Sequence, residues 1–226
     1  MKYPNAAKGV KRIFTAEILK LIGTICGVIG LIFVAVGLAA AETAGTSDAG
    51  VTALVGSSLI GAVPLLGWLV LMIIAFIMRL VGIINARHDE ESFKASLTCL
   101  ILEIIFAVVS GIFLGVNIPV VSSVFYSIAQ LMGLFVTLFI ISGVIKLADK
   151  LNRGDVSSKG SNILKLICVI IGLSLLLNIV SSILVGSAAI SVIALILYAV
   201  AMVLCIVQYI MFLSFLSKAK KMLAES

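Results

Sequence analysis

The chain has 226 residues, of which 62% are hydrophobic and only 12% are charged, and its net charge is +6. A soluble domain carries about 25% charged residues, so too few polar side chains remain here to cover a water-facing surface. This composition excludes a soluble globular domain and predicts an integral membrane protein whose main solvent is the lipid bilayer.

The N-terminal residues 1–17 form a basic segment that precedes the first long apolar run. Within it, Val10, Ile13, Phe14 and Glu17 fall on one helical face, while basic residues occupy the other. We predict a short amphipathic helix that lies at the cytoplasmic membrane surface. The alternative is a docking surface for a cytoplasmic partner.

Six near-continuous apolar runs follow, and each is long enough to cross a bilayer as a helix. A hydrocarbon core about 30 Å thick needs roughly 20 apolar residues. The runs lack the alternating pattern of membrane barrel strands, and helices satisfy every backbone polar group in lipid. The predicted fold class is all-α, a polytopic transmembrane helix bundle. It occupies residues 18–216, with spans at about 18–41, 58–84, 97–116, 122–147, 163–186 and 190–214, and a basic tail follows at 217–226.

The boundaries of the first two spans have alternative interpretations. Residues 51–63 are apolar but rich in Gly and Ser, and Pro64 suits the first turn of a helix. This stretch is therefore re-entrant, interfacial, or part of one long second helix. The small residues 39–41 before Glu42 resemble a signal-peptide cleavage site, but the apolar run before them is longer than that of a signal peptide, which favours a retained span.

The basic residues occur only in alternate connections and near the two termini. The first, third and fifth connections contain none, so the positive-inside rule predicts cytoplasmic termini in a cell membrane, and we expect a bacterial plasma membrane. Nucleic-acid binding is not expected, because the basic residues are scattered over four membrane-edge segments without interleaved aromatic residues. The 16 basic residues are Lys2, Lys8, Lys11, Arg12, Lys20, Arg79, Arg87, Lys94, Lys146, Lys150, Arg153, Lys159, Lys165, Lys218, Lys220 and Lys221.

The spans can pair as three hairpins, and an internal repeat would support duplication of such a unit. The sequence Ile-Leu-Lys-Leu-Ile occurs at 18–22 and again at 163–167, and Gly27 then aligns with Gly172. A chain this rich in Ile and Leu also produces such matches by coincidence, so both interpretations stay open.

Glu103 is the acidic residue that falls inside a predicted span. An ionisable residue in a membrane helix is a functional hypothesis by default, because its charge is costly in lipid. Arg79 lies 12 residues before Glu91, near the centre of the second connection, and Glu103 lies 12 residues after it. Residues equidistant from a turn share one depth, so we predict an Arg79–Glu103 ion pair that fixes the hairpin register. A proton- or solute-linked role is the alternative.

Other residues in the spans suggest helix packing. Gln130 and Asn178 carry amides, which commonly join membrane helices through hydrogen bonds and otherwise could line a solute path. Small residues at four-residue spacing let helix backbones approach closely, within one chain or between subunits. The two such pairs are Gly23/Gly27 and Gly111/Gly115.

Signatures of catalysis and metal binding are missing from the sequence. It has no metalloprotease helix, phosphate-binding loop or nucleophile elbow. The four cysteines fall in predicted spans, and the single histidine, His88, lies in a charged turn. A protein zinc site draws three or four ligands together, so we expect no metal site and no cofactor.

We therefore predict a non-enzymatic, multi-pass membrane component that assembles with itself or with other membrane proteins. The alternative is a small transporter or channel subunit that uses Glu103, Arg79, Gln130 and Asn178. The short loops and the N-terminal segment resemble the layout of small six-helix transporter permease subunits. No motif accompanies that resemblance, so it implies a layout and not an activity.

Overall fold

The computed structural model describes residues 2–44, 48–183 and 188–226, without the side chains of 41–44, 48–55, 57–59, 174–183 and 188–198. The described chain is helical and contains six helices that are long and apolar enough to cross a membrane. The predicted all-α class and the six membrane-crossing helices are thereby confirmed. The helices are α1 (Pro4–Ala44), α2 (Asp48–Ala86), α3 (Ser92–Gly115), α4 (Pro119–Lys150), α5 (Gly154–Ile183) and α6 (Ala188–Glu225).

Several helices extend beyond the apolar runs that predict them. Helix α1 continues from the N-terminal segment into the first span without a break. Helix α2 is continuous across 51–63 and has Pro64 inside it, as in the alternative of one long second helix. Helix α6 includes most of the basic tail. A helix satisfies its own backbone in both lipid and water, so it need not end where its surroundings change.

Helices α3 and α4 end in the same way, at an asparagine. Asn117 and Asn152 have φ values of 58° and 54°, in the left-handed region that asparagine tolerates better than most residues. The N–H that follows each asparagine donates to the carbonyl five positions earlier, at 3.0 Å and 2.9 Å respectively. This is the bonding of a Schellman motif, and it allows the short connections 116–118 and 151–153.

The chain forms two compact units, of which unit 1 comprises Met1–Lys11 with Ile83–Ser226, and unit 2 comprises Arg12–Gly82. In unit 1, α3 packs against α4, and α5 packs against both α4 and α6. The N-terminal turn and the connections 87–91 and 151–153 lie at one end of this unit, which we call the basic end. Fully buried side chains concentrate towards it: Phe93, Ile140, Ile141, Leu147, Ile163, Phe215, Leu216, Met222 and Leu223.

Two glycines allow the close packing of unit 1. A Cβ atom at Gly143 would lie 2.8 Å from Cε2 of Phe93, so the ring occupies the space that a side chain would need. A Cβ atom at Gly160 would lie 2.5 Å from Ile145 and 3.0 Å from Phe215. These close approaches bring α3 and α4 together, and α5 into contact with both α4 and α6.

Candidate functional site

At the basic end of unit 1, the connection 87–91 is attached to the first turn of α1. Asp89 accepts hydrogen bonds from the backbone N–H of Ala6 at 2.7 Å and from the side-chain amide of Asn5 at 3.1 Å. The first N–H groups of a helix have no intrahelical partner, and its N-terminus carries partial positive charge. The Asp89 carboxylate therefore stabilises the start of α1 and attaches its first turn to the connection 87–91.

Glu90 joins the same connection to the end of α4. Its carboxylate accepts a hydrogen bond from Nζ of Lys150 at 2.6 Å and lies 3.8 Å from Nζ of Lys146, and its side chain is only 6% exposed. Burial by itself raises the pKa of Glu90. The hydrogen bond and charge of Lys150, the charge of Lys146 and a hydrogen bond with the Ser92 backbone outweigh it, so the pKa lies below its ordinary value. The carboxylate is therefore ionised at neutral pH.

Glu103, the predicted intramembrane acid, lies in the seam between α3 and α4. Its carboxylate rests on Gly133 of α4, where an added Cβ atom would lie 2.9 Å from Oε1 of Glu103. One turn further along, the hydroxyl of Thr137 donates to the carbonyl oxygen of Gly133 at 3.3 Å. The absent side chain at Gly133 thus makes room for the carboxylate. Arg79 belongs to unit 2, so its pairing with Glu103 stays a prediction.

Serine hydroxyls join α3 and α4 on both sides of Glu103. Ser96 donates to the carbonyl of Val136 at 3.2 Å. Nearer the third connection, Ser110 and Ser122 each donate to the backbone carbonyl of the other at 2.9 Å, and all three serines are buried. Such bonds satisfy polar groups in the absence of water and hold the register of two membrane helices. These bonds were not predicted from the sequence, because a serine in a membrane helix often bonds only to its own backbone.

Gln130 lies on the outward face of α4, where it is exposed. Ser123, Ser127 and Leu134 are exposed on the same face, at helical spacing. The two serine hydroxyls donate to carbonyl oxygens of α4 itself, at 2.8 Å and 2.9 Å. The Gln130 carboxamide is a larger polar group than these two hydroxyls. It projects from a face whose other polar groups bond within the helix, as is needed for contact with lipid.

In unit 2, Arg79 lies beside Glu17, with 3.7 Å between Nε and Oε1. Their side chains are 14% and 4% exposed, so the pair is well removed from solvent. Glu17 lies in the predicted amphipathic segment, and no ion pair was predicted for it from the sequence. Residues equidistant from a connection share one depth, and this rule could have found the pair. Both residues lie 31 positions from Asp48, which belongs to the first predicted connection.

The first predicted glycine pair packs helices within unit 2. A Cβ atom at Gly27 would lie 2.9 Å from Cδ1 of Trp68, and one at Gly23 would lie 3.3 Å from Cβ of Leu71. Gly30 continues this row, although sequence analysis did not select it, and an added Cβ atom there would lie 2.8 Å from Cγ of a leucine in α2. These glycines let α1 and α2 approach closely.

The second predicted glycine pair has different surroundings. At Gly111 and Gly115, no atom of the described chain lies within 4 Å of an added Cβ atom, apart from the neighbouring residues and the nearby backbone of α3 itself. This small-residue face of α3 is therefore open in the described structure. Asn178 belongs to α5, but its side chain lies outside the described residues.

The cysteines and the other metal-ligating residues are dispersed in the described part of the chain. Cys26, Cys99, Cys168 and Cys205 are free thiols. Within the described residues, no group of three His, Cys, Asp or Glu side chains is placed to hold a metal ion.

No protein-family model matches the chain, and neither a curated protein nor a solved structure matches it. The six apolar helices are those of a multi-pass membrane protein. What the protein does there must be inferred from its exposed faces and its buried polar contacts.

Proposed function

We propose that the protein is a non-enzymatic membrane component that assembles with a second copy of itself through the outward face of α4. The exposed carboxamide of Gln130 supports this proposal, because it projects from a membrane-crossing helix. Gln130 lies 11 residues beyond Pro119, which is roughly 17 Å along the helix. That distance is about half of a hydrocarbon core of about 30 Å.

An amide at this depth favours association. In lipid it has no water to bond, and a carboxamide without a hydrogen-bond partner costs several kcal/mol. Two copies related by a two-fold axis bring the same residue face to face. Each Gln130 then donates through its NH₂ group and accepts through its carbonyl oxygen, so the pair is self-complementary. The small residues Ser123 and Ser127 on the same face let the two α4 helices approach.

We also propose that the basic end faces the cytoplasm and that the host is a bacterial plasma membrane. The N-terminal turn and the connections 87–91 and 151–153 meet in unit 1, as the bonds of Asp89 and Glu90 show. The third connection, 116–118, lies at the other end of α3 and α4 and contains no basic residue. The positive-inside rule then gives this orientation.

The test of self-assembly is energy transfer between labelled copies of the full chain as vesicles are diluted with unlabelled lipid. Gln130→Leu removes both hydrogen bonds of the pair and is expected to lower the association constant by about 8-fold to 900-fold, which corresponds to roughly 1.2–4 kcal/mol for two interhelical hydrogen bonds. Gln208→Leu makes the same chemical change on α6, where the residue is half-buried, and is the matched control. A chain that is monomeric at every dilution, or an equal effect of both substitutions, would contradict the proposal.

A further inference from the structure

A groove of about 350 Å³ lies between α5 and α6 in unit 1. Its walls change in character along its length, with polar side chains towards the basic end and apolar side chains further into the membrane-crossing part. The lining residues are Lys159, Asn162 and Ile163 from α5, and Ile210, Met211 and Ser214 from α6.

Two lysines meet at the polar end of this groove. Lys159 lines it, and Lys218 follows the lining residue Ser214 by one turn of α6, so both lysines lie at this end of the groove and their charges act on each other. Both groups are hydrogen-bond donors only, and their like charges repel. The negative charge of Asp155 also attracts Lys159. The Asp155 carboxylate, however, already lies 3.4 Å from Nε of Arg153, which offsets its charge. The mouth of the groove therefore has positive charge and donors that suit an anion.

The groove leads from these lysines towards lipid. Ile210 precedes Lys218 by 8 residues, roughly 12 Å along the helix, and its side chain is 60% exposed. Ile163 on the facing helix is buried and forms part of the apolar wall. A molecule that fills the groove thus needs an anionic group at one end and a hydrocarbon chain at the other.

We propose that this groove binds one anionic phospholipid, with its phosphate between Lys159 and Lys218. The phosphate accepts hydrogen bonds from both ammonium groups and offsets their repulsion. Asn162 and Ser214 bond to headgroup or glycerol oxygens, and the acyl chain lies along the apolar wall. Basic pockets between membrane helices on the cytoplasmic side recognise headgroups in this way. The site does not require self-association of the chain.

Native mass spectrometry of the full chain with phosphatidylglycerol or phosphatidylcholine of identical acyl chains tests the proposal. The wild type is expected to prefer phosphatidylglycerol. Lys159→Gln with Lys218→Gln is expected to weaken its binding by roughly thirtyfold, the factor that two lysines contribute beside an anionic headgroup. The control is Lys165→Gln with Lys221→Gln, which removes the same charge from exposed positions on the same helices and should preserve the preference.

Three outcomes of the lipid-binding measurements would overturn the site. Equal losses in both double variants would mean diffuse attraction, and equal binding of phosphatidylcholine would mean no recognition of the anion. Displacement of phosphatidylglycerol by inorganic phosphate at equal concentration would indicate a soluble anion instead of a lipid.

In lipid-free, uncharged detergent, the Lys159→Gln, Lys218→Gln variant should have a Tm at or above that of the wild type, because it lacks the repulsion between the two lysines. A lower Tm would assign the lysines a structural role and also overturn the proposal.

Discussion

Replacing Glu90 by glutamine removes the charge that joins the second connection to α4 while nearly keeping the side-chain volume. A hydrogen bond to a charged group contributes about 1.5–3 kcal/mol. The partners Lys150 and Lys146 are 50% and 55% exposed, so solvent screening reduces that figure. We therefore expect Glu90→Gln to lower the free energy of unfolding by about 1–2 kcal/mol, which corresponds to a Tm decrease of about 2–8 °C in a chain of this size.

The same contact predicts a dependence on pH. The pKa of Glu90 is lower in the folded protein than its ordinary value of 4.5, so the unfolded chain binds the proton first as pH falls. The stabilisation by Glu90 is therefore complete above the ordinary pKa and is lost as pH falls through the lowered, folded pKa. Glutamine does not titrate. The Tm difference between wild type and Glu90→Gln should be constant near neutral pH and should shrink in acid.

Thermal unfolding in uncharged detergent, followed from neutral pH to below the ordinary Glu90 pKa of 4.5, measures both the Tm decrease and its dependence on pH. Glu91→Gln is the control, because Glu91 is the adjacent residue, is 89% exposed and lies 3.6 Å from Lys94. An exposed pair of this kind contributes little, so the control should leave Tm unchanged. Equal Tm changes for the two variants, or a Glu90→Gln difference that persists undiminished in acid, would refute the reasoning.

Two further predictions concern unit 2 and its helix contacts. Gly27→Ala puts a Cβ atom 2.9 Å from Cδ1 of Trp68, well inside carbon–carbon contact distance, and should lower the free energy of unfolding by about 1–3 kcal/mol. The Cβ atom of Gly172→Ala meets no described atom within 4 Å beyond its chain neighbours and the nearby backbone of α5, and the change should leave thermal stability unchanged or raise it. A similar loss there would contradict the packing explanation. Glu17→Gln and Arg79→Gln should show a coupling energy of about 1–3 kcal/mol in a double-mutant cycle, because either change alone removes the opposite charge beside a buried ionised group. Additive effects of these two substitutions would show that the pair contributes no interaction.

Composition and the order of the apolar runs are enough to predict six membrane-crossing helices, because lipid leaves the backbone few alternatives to a helix. They do not predict where each helix begins. Hydropathy marks where lipid begins, whereas a helix continues as long as its backbone hydrogen bonds are favourable. Helix α1 therefore includes 4–17, and α2 includes 51–63. The same apolar runs do not distinguish protein-facing from lipid-facing positions, since both are apolar.

Tertiary structure alone decides which of these faces meet. Gly23 and Gly111 open the same small-residue motif, yet Gly23 packs against α2 and Gly111 is open in the described structure. Lys159 and Lys218 are 59 positions apart and lie at the same end of one groove only because α5 and α6 pack with one particular register. Register and helix rotation depend on the summed fit of many side chains, such as the hydroxyl bonds between Ser110 and Ser122, and no single local pattern in the sequence encodes that sum.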